Sequence, residues 1–225
     1  MFDIDGTLVD SNYLHVMAWQ RALHTTRHPV DAWRIHRAVG MGSSQLLAAL
    51  LGEAAEQADQ TDQTEQIGSQ VKKWHRELYR QGSDLLRAFD GARELIAAVA
   101  QRGAKVVLAS SAAPDELDIL RSILDLPDGL AEITGAGDVE AAKPAPDLVE
   151  AAVHRAGAPR ERTAFVGDTV WDVQACRKAG VPCVGVLSGG IGADELTEAG
   201  AVAVYDDCRA LLYDLDNSPL ATVWA

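Results

Sequence analysis

From about Phe89 onward, stretches with helical spacing of apolar residues alternate with short apolar runs, and no other feature of the chain narrows its possible folds as much. "GARELIAAVAQRG" leads to "AKVVLASS", "PDELDILRSIL" to "LAEITGAGD", and "PAPDLVEAAVHRAGA" to "TAFVGD". "WDVQACRKAG" then leads to "VPCVGVL", and "ADELTEAG" to "AVAVYDD". Repeated strand–helix units of this kind predict an α/β fold built on a mostly parallel sheet. Gly103, Gly157, Gly180 and Gly200 fall where the helices should end, at positions suited to a left-handed residue.

The segment from Ser11 to about Ser83 follows another pattern. "YLHVMAWQRALH", "DAWRIHRAVG", "SSQLLAALLG" and "VKKWHRELYRQ" all have helical spacing, and no strand pattern interrupts them. The expected organisation is a core of residues 1–11 and 84–225 with a helical insertion at 12–83. Within the insertion, "GEAAEQADQTDQTEQIGSQ" carries five acidic residues and no basic one, which predicts a solvated helix or loop. A chain of 225 residues with 48% apolar composition can bury one substantial core plus a smaller insertion without disulfide or metal staples. Its three cysteines, Cys176, Cys183 and Cys208, are odd in number and lack metal-ligand spacing, as expected of buried thiols in a reducing compartment.

A net charge of -13 argues against nucleic acid or anionic lipid as partners, because a phosphate backbone is held by clustered Lys and Arg. No apolar run approaches bilayer length and the first residues lack the pattern of a secretion signal, so the expected location is cytoplasmic, without membrane contact. A small phosphorylated ligand would then require local positive charge from a lysine or a metal ion.

Candidate chemistry begins in "MFDIDGTLVD". If the first residues end a strand, Asp3 and Asp5 project to one side, and Gly6 relaxes the turn that follows. Such a pair is tolerated when a cation lies between the carboxylates or when one of them keeps its proton. An exposed Asp-Gly turn accounts for the same residues. A second acidic cluster, "FVGDTVWDV", sets Asp168 after a short apolar run and Asp172 four residues later. Ser110 ends "KVVLAS", and Lys143 in "AAKPAPD" lies just beyond the strand expected near Ile133. Singly, these residues read as helix caps or solvated side chains. Together they fall at or past the carboxyl ends of parallel strands, where open α/β sheets gather their ligand sites.

In this order and spacing, "DIDGT", Ser110, Lys143 and "GDTVWD" resemble the four motifs of the haloacid dehalogenase superfamily of phosphohydrolases. The resemblance is to the branch with a helical cap after the first motif, and it implies a Rossmann-like core. "GMGSS", Gly40 to Ser44, is similar to the cap segment that faces the active site in that branch. The resemblance implies Asp3 as nucleophile and Asp5 as general acid and base. It implies Mg²⁺ held by the Asp3 carboxylate, the Asp5 backbone carbonyl and Asp168, with Asp172 in support. Ser110 and Lys143 would bind the phosphate. Ser111, where asparagine is frequent in the family, can still offer a backbone N–H. Arg37 could bind a carboxylate or second phosphate of the substrate, and His15, Trp19, Met41 and Ser43 are further candidates for lining the cap. His24 and His28 lack an acidic partner and precede Pro29, which argues against a metal site.

The expected activity is hydrolysis of a small phosphorylated metabolite, of the phosphoglycolate or sugar phosphate type, by a monomer or a homodimer. The first alternative is a phosphomutase of the β-phosphoglucomutase type. Dehalogenation is disfavoured because Asp5 supplies an acid that halide displacement does not need, and phosphonate cleavage because Lys72 and Lys73 lie late in the insertion. In the family an apolar strand precedes the first aspartate, whereas here only Met1 and Phe2 do. A weakly active or inactive binding protein with a truncated first strand is therefore the second alternative.

Overall fold

The computed structural model describes residues 1–55, 61–135 and 141–224. It divides into two compact units, one of Met1–Asp10 with Arg87–Ala225 and the other Ser11–Leu86.

The unit Ser11–Leu86 is helical, with α1 (Asn12–Thr25), α2 (Ala32–Ala38), α3 (Ser43–Ala55) and α4 (Thr61–Gln81). In α1 the buried residues Leu14, Ala18 and Ala22 recur every four positions and line one face, with Trp19 and Leu23 beside them. Trp19 stacks on His75 of α4 with ring centroids 3.9 Å apart. His15 Nδ1 lies 3.0 Å from His75 Nε2, and its ring stacks on Tyr79. Burial holds the His75 pKa well below its ordinary value, and the neighbouring His15 and Arg76 lower it further. Trp19 and His15, candidates for lining a ligand site, are thus engaged in the packing of α1 on α4. The acidic stretch of this unit lies partly outside the described residues; on either side of residues 56–60 the chain is helical.

The other unit alternates as its sequence requires: α5 (Ala92–Gln101), β1 (Val106–Ala109), α6 (Pro114–Leu124), β2 (Ala131–Thr134), α7 (Asp147–Ala156), β3 (Phe165–Gly167), α8 (Val170–Ala179), β4 (Cys183–Val186), α9 (Ala193–Ala199), β5 (Ala203–Tyr205) and α10 (Cys208–Tyr213). Residues 136–140, which include the end of "LAEITGAGD", lie outside the described residues. β1 pairs in parallel with β2, from Val106 against Ala131 to Ala109 against Thr134. β3 pairs in parallel with β4, and β4 with β5. Strands β1, β3 and β4 are buried at every residue, which is why their sequences are continuous apolar runs rather than alternating ones.

What joins the two sets of strands is the start of the chain. Phe2 bridges Leu108 of β1 on one side and Val166 of β3 on the other, both in parallel. Phe2 N donates to Val107 O at 2.9 Å, Ala109 N to Phe2 O at 2.8 Å, Asp3 N to Val166 O at 2.9 Å and Val166 N to Met1 O at 3.0 Å. The resulting order is β2, β1, the Phe2 segment, β3, β4, β5. The connections run to opposite sides of that central segment, and the crevice at its carboxyl end is where such sheets bind ligands. Phe2 itself is 1% exposed, a burial that contributes about 1.5–3 kcal/mol.

Helix ends follow the local chemistry. Gly157, Gly180 and Gly200 cap α7, α8 and α9 in the left-handed conformation. At the other end of α8, Thr169 and Asp172 form a reciprocal capping box. Among the described residues no helix is long and apolar enough to cross a membrane.

Candidate active site

Strand ends and the first turn of α8 deliver the polar groups. Asp3 follows the Phe2 bridge, Ser110 follows β1, Asp168 follows β3, and Asp172 lies in the first turn of α8. Lys143 precedes α7 in a segment held by Lys178 Nζ, which donates to Pro144 O at 2.8 Å. These positions bring residues from opposite ends of the sequence into contact.

Lys143 is the centre of the arrangement. Its ammonium lies 2.9 Å from Asp3 Oδ1 and 2.8 Å from Asp172 Oδ1, with the Lys143, Asp3 and Asp172 side chains 1%, 4% and 0% exposed. Thr169 fixes the second oxygen of Asp172, donating through its backbone N at 3.1 Å and its Oγ1 at 2.6 Å. Thr7 Oγ1 donates to Asp168 Oδ1 at 2.8 Å across 161 residues of sequence. Ser110 Oγ accepts Ala112 N at 3.0 Å and reaches Asp5 Oδ2 at 3.4 Å. Asp5 and Ser111 are half-buried.

Electrostatics at the site are unbalanced. Burial drives the Asp3 pKa well above its ordinary value; Lys143 opposes this, while Asp172, Asp168 and Asp5 add to it. Burial by itself would lower the Lys143 pKa, but Asp172 and Asp3 reverse that and hold it above its ordinary value. Oxygens of Asp3, Asp168 and Asp172 all lie within 4.8 Å of one another and all three residues are buried, and the Lys143 ammonium contacts two of the three. Buried charge of one sign without compensation is costly. A hard divalent cation such as Mg²⁺ takes oxygen donors of this type, and the hydroxyls of Thr7 and Thr169 orient two of them as supporting groups do in metal sites. The donor set therefore fits Mg²⁺. The Asp5 carboxylate is not one of the three, which leaves its backbone carbonyl as the group expected to take part.

The expected site residues thus divide. Asp3, Lys143, Asp168 and Asp172 form one buried cluster, and Ser110 with Asp5 forms a contact beside it in the same unit. Arg37 is exposed on α2 of the helical unit, where Met41 is half-buried and Ser43 exposed. Sequence reading missed Thr7, Thr169, Ser188, Gly189 and Cys208. The two threonines lie within the quoted stretches "DIDGT" and "GDTVWD", and "SGG" at 188–190 follows β4 at the same sheet edge, which was a usable signal. A Cβ on Gly189 would lie 1.7 Å from Asp168 Oδ2, so only glycine leaves room for that carboxylate. Nothing in the sequence around Cys208 pointed to the thiol's contact with Thr7 O at 3.2 Å.

Residues 1–180 match the family model of haloacid dehalogenase-like hydrolases. The chain is 30% identical over 215 residues to a phosphoglycolate phosphatase of Rhodospirillum rubrum, covering 94% of this chain and 88% of the relative. It is 29% identical over 206 residues to a phosphorylated carbohydrates phosphatase of Thermotoga maritima, covering 91% and 92%. Among solved structures, a hydrolase from Pseudomonas syringae superposes with a TM-score of 0.86 at 35% identity, covering 96% of each chain.

Proposed function

This chain belongs to the haloacid dehalogenase-like hydrolase family and is a phosphoric monoester hydrolase, and on that footing we propose that it hydrolyses a small phosphorylated metabolite, of the phosphoglycolate or sugar phosphate type, through an aspartyl-phosphate on Asp3. The observation that carries this reading is the buried Lys143 ammonium set between Asp3 and Asp172, with Asp168 in the same cluster. The names of the relatives support the substrate class.

In this reading Asp3 attacks phosphorus as a carboxylate, a nucleophile that needs no base to activate it. Mg²⁺ held by Asp3, Asp168 and Asp172 and the Asp5 carbonyl would supply positive charge that keeps the carboxylates ionised and reduces their repulsion of the phosphate. As the bond from Asp3 to phosphorus forms, the ester P–O bond breaks and Asp5 gives its proton to the departing oxygen. Asp5 then takes a proton from water, whose oxygen bonds to phosphorus and releases Asp3 and inorganic phosphate. Lys143 stabilises charge on the transferring group through a contact already in place, and Ser110 and Ser111 hydrogen-bond its oxygens.

The test is a screen of phosphorylated metabolites with and without Mg²⁺, comparing wild type with Asp3→Asn. Phosphate release that requires Mg²⁺ and disappears in Asp3→Asn, whose amide cannot attack, is the expected result. A folded wild-type sample that cleaves no phosphoester in Mg²⁺ would refute the reading, as would an Asp3→Asn variant of undiminished turnover.

A further inference from the structure

Between Asp5 and Thr7 the backbone passes through Gly6 in the left-handed region, with φ 71°. A glycine has the widest choice of backbone conformations, so the direction in which Asp5 leaves the sheet depends in part on the groups that hold Gly6, beside the contact of its own carboxylate with Ser110. Two of them are visible. Gly6 N donates to Val9 O at 2.9 Å, inside the same turn. Its carbonyl accepts the hydroxyl of Ser188 at 2.7 Å, from 182 residues away in sequence.

Ser188 lies just past β4, and its neighbour Gly189 leaves the space that Asp168 fills. One step further along the turn, Thr7 holds Asp168 through its side chain and meets Cys208 Sγ through its carbonyl. Thr7 thus has its own anchors in the carboxylate cluster and on α10. Gly6, which has no Cβ to restrict its backbone, has its carbonyl fixed by a side chain from outside the turn.

We propose that Ser188 is a positioning residue for Asp5: its hydroxyl locks the Gly6–Thr7 peptide and so aims the Asp5 carboxyl at the leaving oxygen. The inference rests on the reading of Asp5 as the general acid. Misalignment of about 1 Å in a catalytic group lowers rates by up to about a hundredfold, and for an acid the loss falls where proton donation is needed. A leaving group that departs as a stable anion does not need it; an alkoxide does.

The experiment compares kcat/KM of wild type, Ser188→Ala and Ser188→Thr on 2-phosphoglycolate, an alkyl ester, and on p-nitrophenyl phosphate, whose nitrophenolate leaves without a proton. The expected loss in Ser188→Ala is about ten- to a hundredfold on the alkyl ester, with a several-fold smaller loss on the aryl ester. Ser188→Thr, which keeps the hydroxyl, should recover most of it. In the metal-free proteins, the Thr7 amide, which shares its peptide plane with the Gly6 carbonyl and donates to Ile4 O, should exchange its hydrogen about two- to tenfold faster in Ser188→Ala, the loss expected for one removed hydrogen bond. Equal losses on both esters, no loss on either, or a Thr variant as impaired as Ala would overturn the proposal. If wild type cleaves neither these esters nor any other phosphoester of the screen, the phosphatase reading fails instead; unchanged Thr7 amide exchange in the Ala variant would then overturn the Ser188 anchor on its own.

Discussion

Lys143→Ala tests the electrostatics of the site most directly. The wild-type ammonium sits 2.9 Å from Asp3 and 2.8 Å from Asp172, with all three side chains almost fully excluded from water. Removing it leaves two buried carboxylates facing each other without a counter-charge, a change that costs about 3–5 kcal/mol. At about 2–4 °C per kcal/mol for a chain of this size, melting should fall by roughly 6–20 °C in EDTA. The loss should depend on pH, because Lys143 opposes the rise in the Asp3 pKa and its removal raises that pKa further. A carboxyl with a raised folded-state pKa contributes stability at low pH and loses it as pH rises through the raised value. Denaturant unfolding in EDTA should therefore show a larger deficit at pH 8 than at pH 5. The double variant Asp3→Asn/Lys143→Ala, which removes one of the two opposed charges, should recover part of the deficit. In the phosphatase assay the single variant should lose about a hundred- to a thousandfold in turnover, corresponding to about 3–4 kcal/mol of transition-state stabilisation. A Lys143→Ala protein as stable as wild type at pH 8, or one equally destabilised at both pH values and unaffected by the Asp3 change, would refute the reasoning.

Wild type offers a related test without mutation. Because burial and the neighbouring carboxylates raise the Asp3 pKa, metal-free stability should decline as pH rises above the ordinary carboxylate range. Stabilisation by Mg²⁺ should then be greater at pH 8 than at pH 5 in a thermal-shift titration, and a shift independent of pH would contradict the assignment. Gly189→Ala places a methyl 1.7 Å from Asp168 Oδ2, an overpacking that costs about 1–3 kcal/mol. By displacing that carboxylate it should also weaken Mg²⁺-induced stabilisation, and an Ala variant with a wild-type Mg²⁺ titration would argue against Asp168 as a ligand.

The stacked rings of the helical unit show how tertiary packing resolves an ambiguity that residue types leave open. A Trp and a His on a helix suit either a ligand pocket or a core, and Trp19, 4% exposed, stacks on His75, a partner 56 positions away on α4. Spacing within α1 carries no information about that partner.

Much of the catalytic unit was legible because its signals are local. Short apolar runs became β1, β3 and β4 since a parallel strand buried on both faces must be apolar throughout, and glycines stopped α7, α8 and α9 since only a residue without Cβ enters the left-handed region easily. Asp3, Ser110 and Asp168 could be picked out because each follows a strand segment, with Asp172 one turn further on and Lys143 in the connection from β2 to α7, and the sheet's geometry collects such ends. Folding alone decided that Phe2 would join β1 to β3 and carry Asp3 to Lys143, that Thr7 would find Asp168 and Ser188 the Gly6 carbonyl, and that Gly189 would leave room for a carboxylate. These contacts are chosen by which loops share the carboxyl edge of the sheet, a property of strand order in space, and two segments that are more than 160 residues apart along the chain bear no mark of each other until the sheet has brought them together.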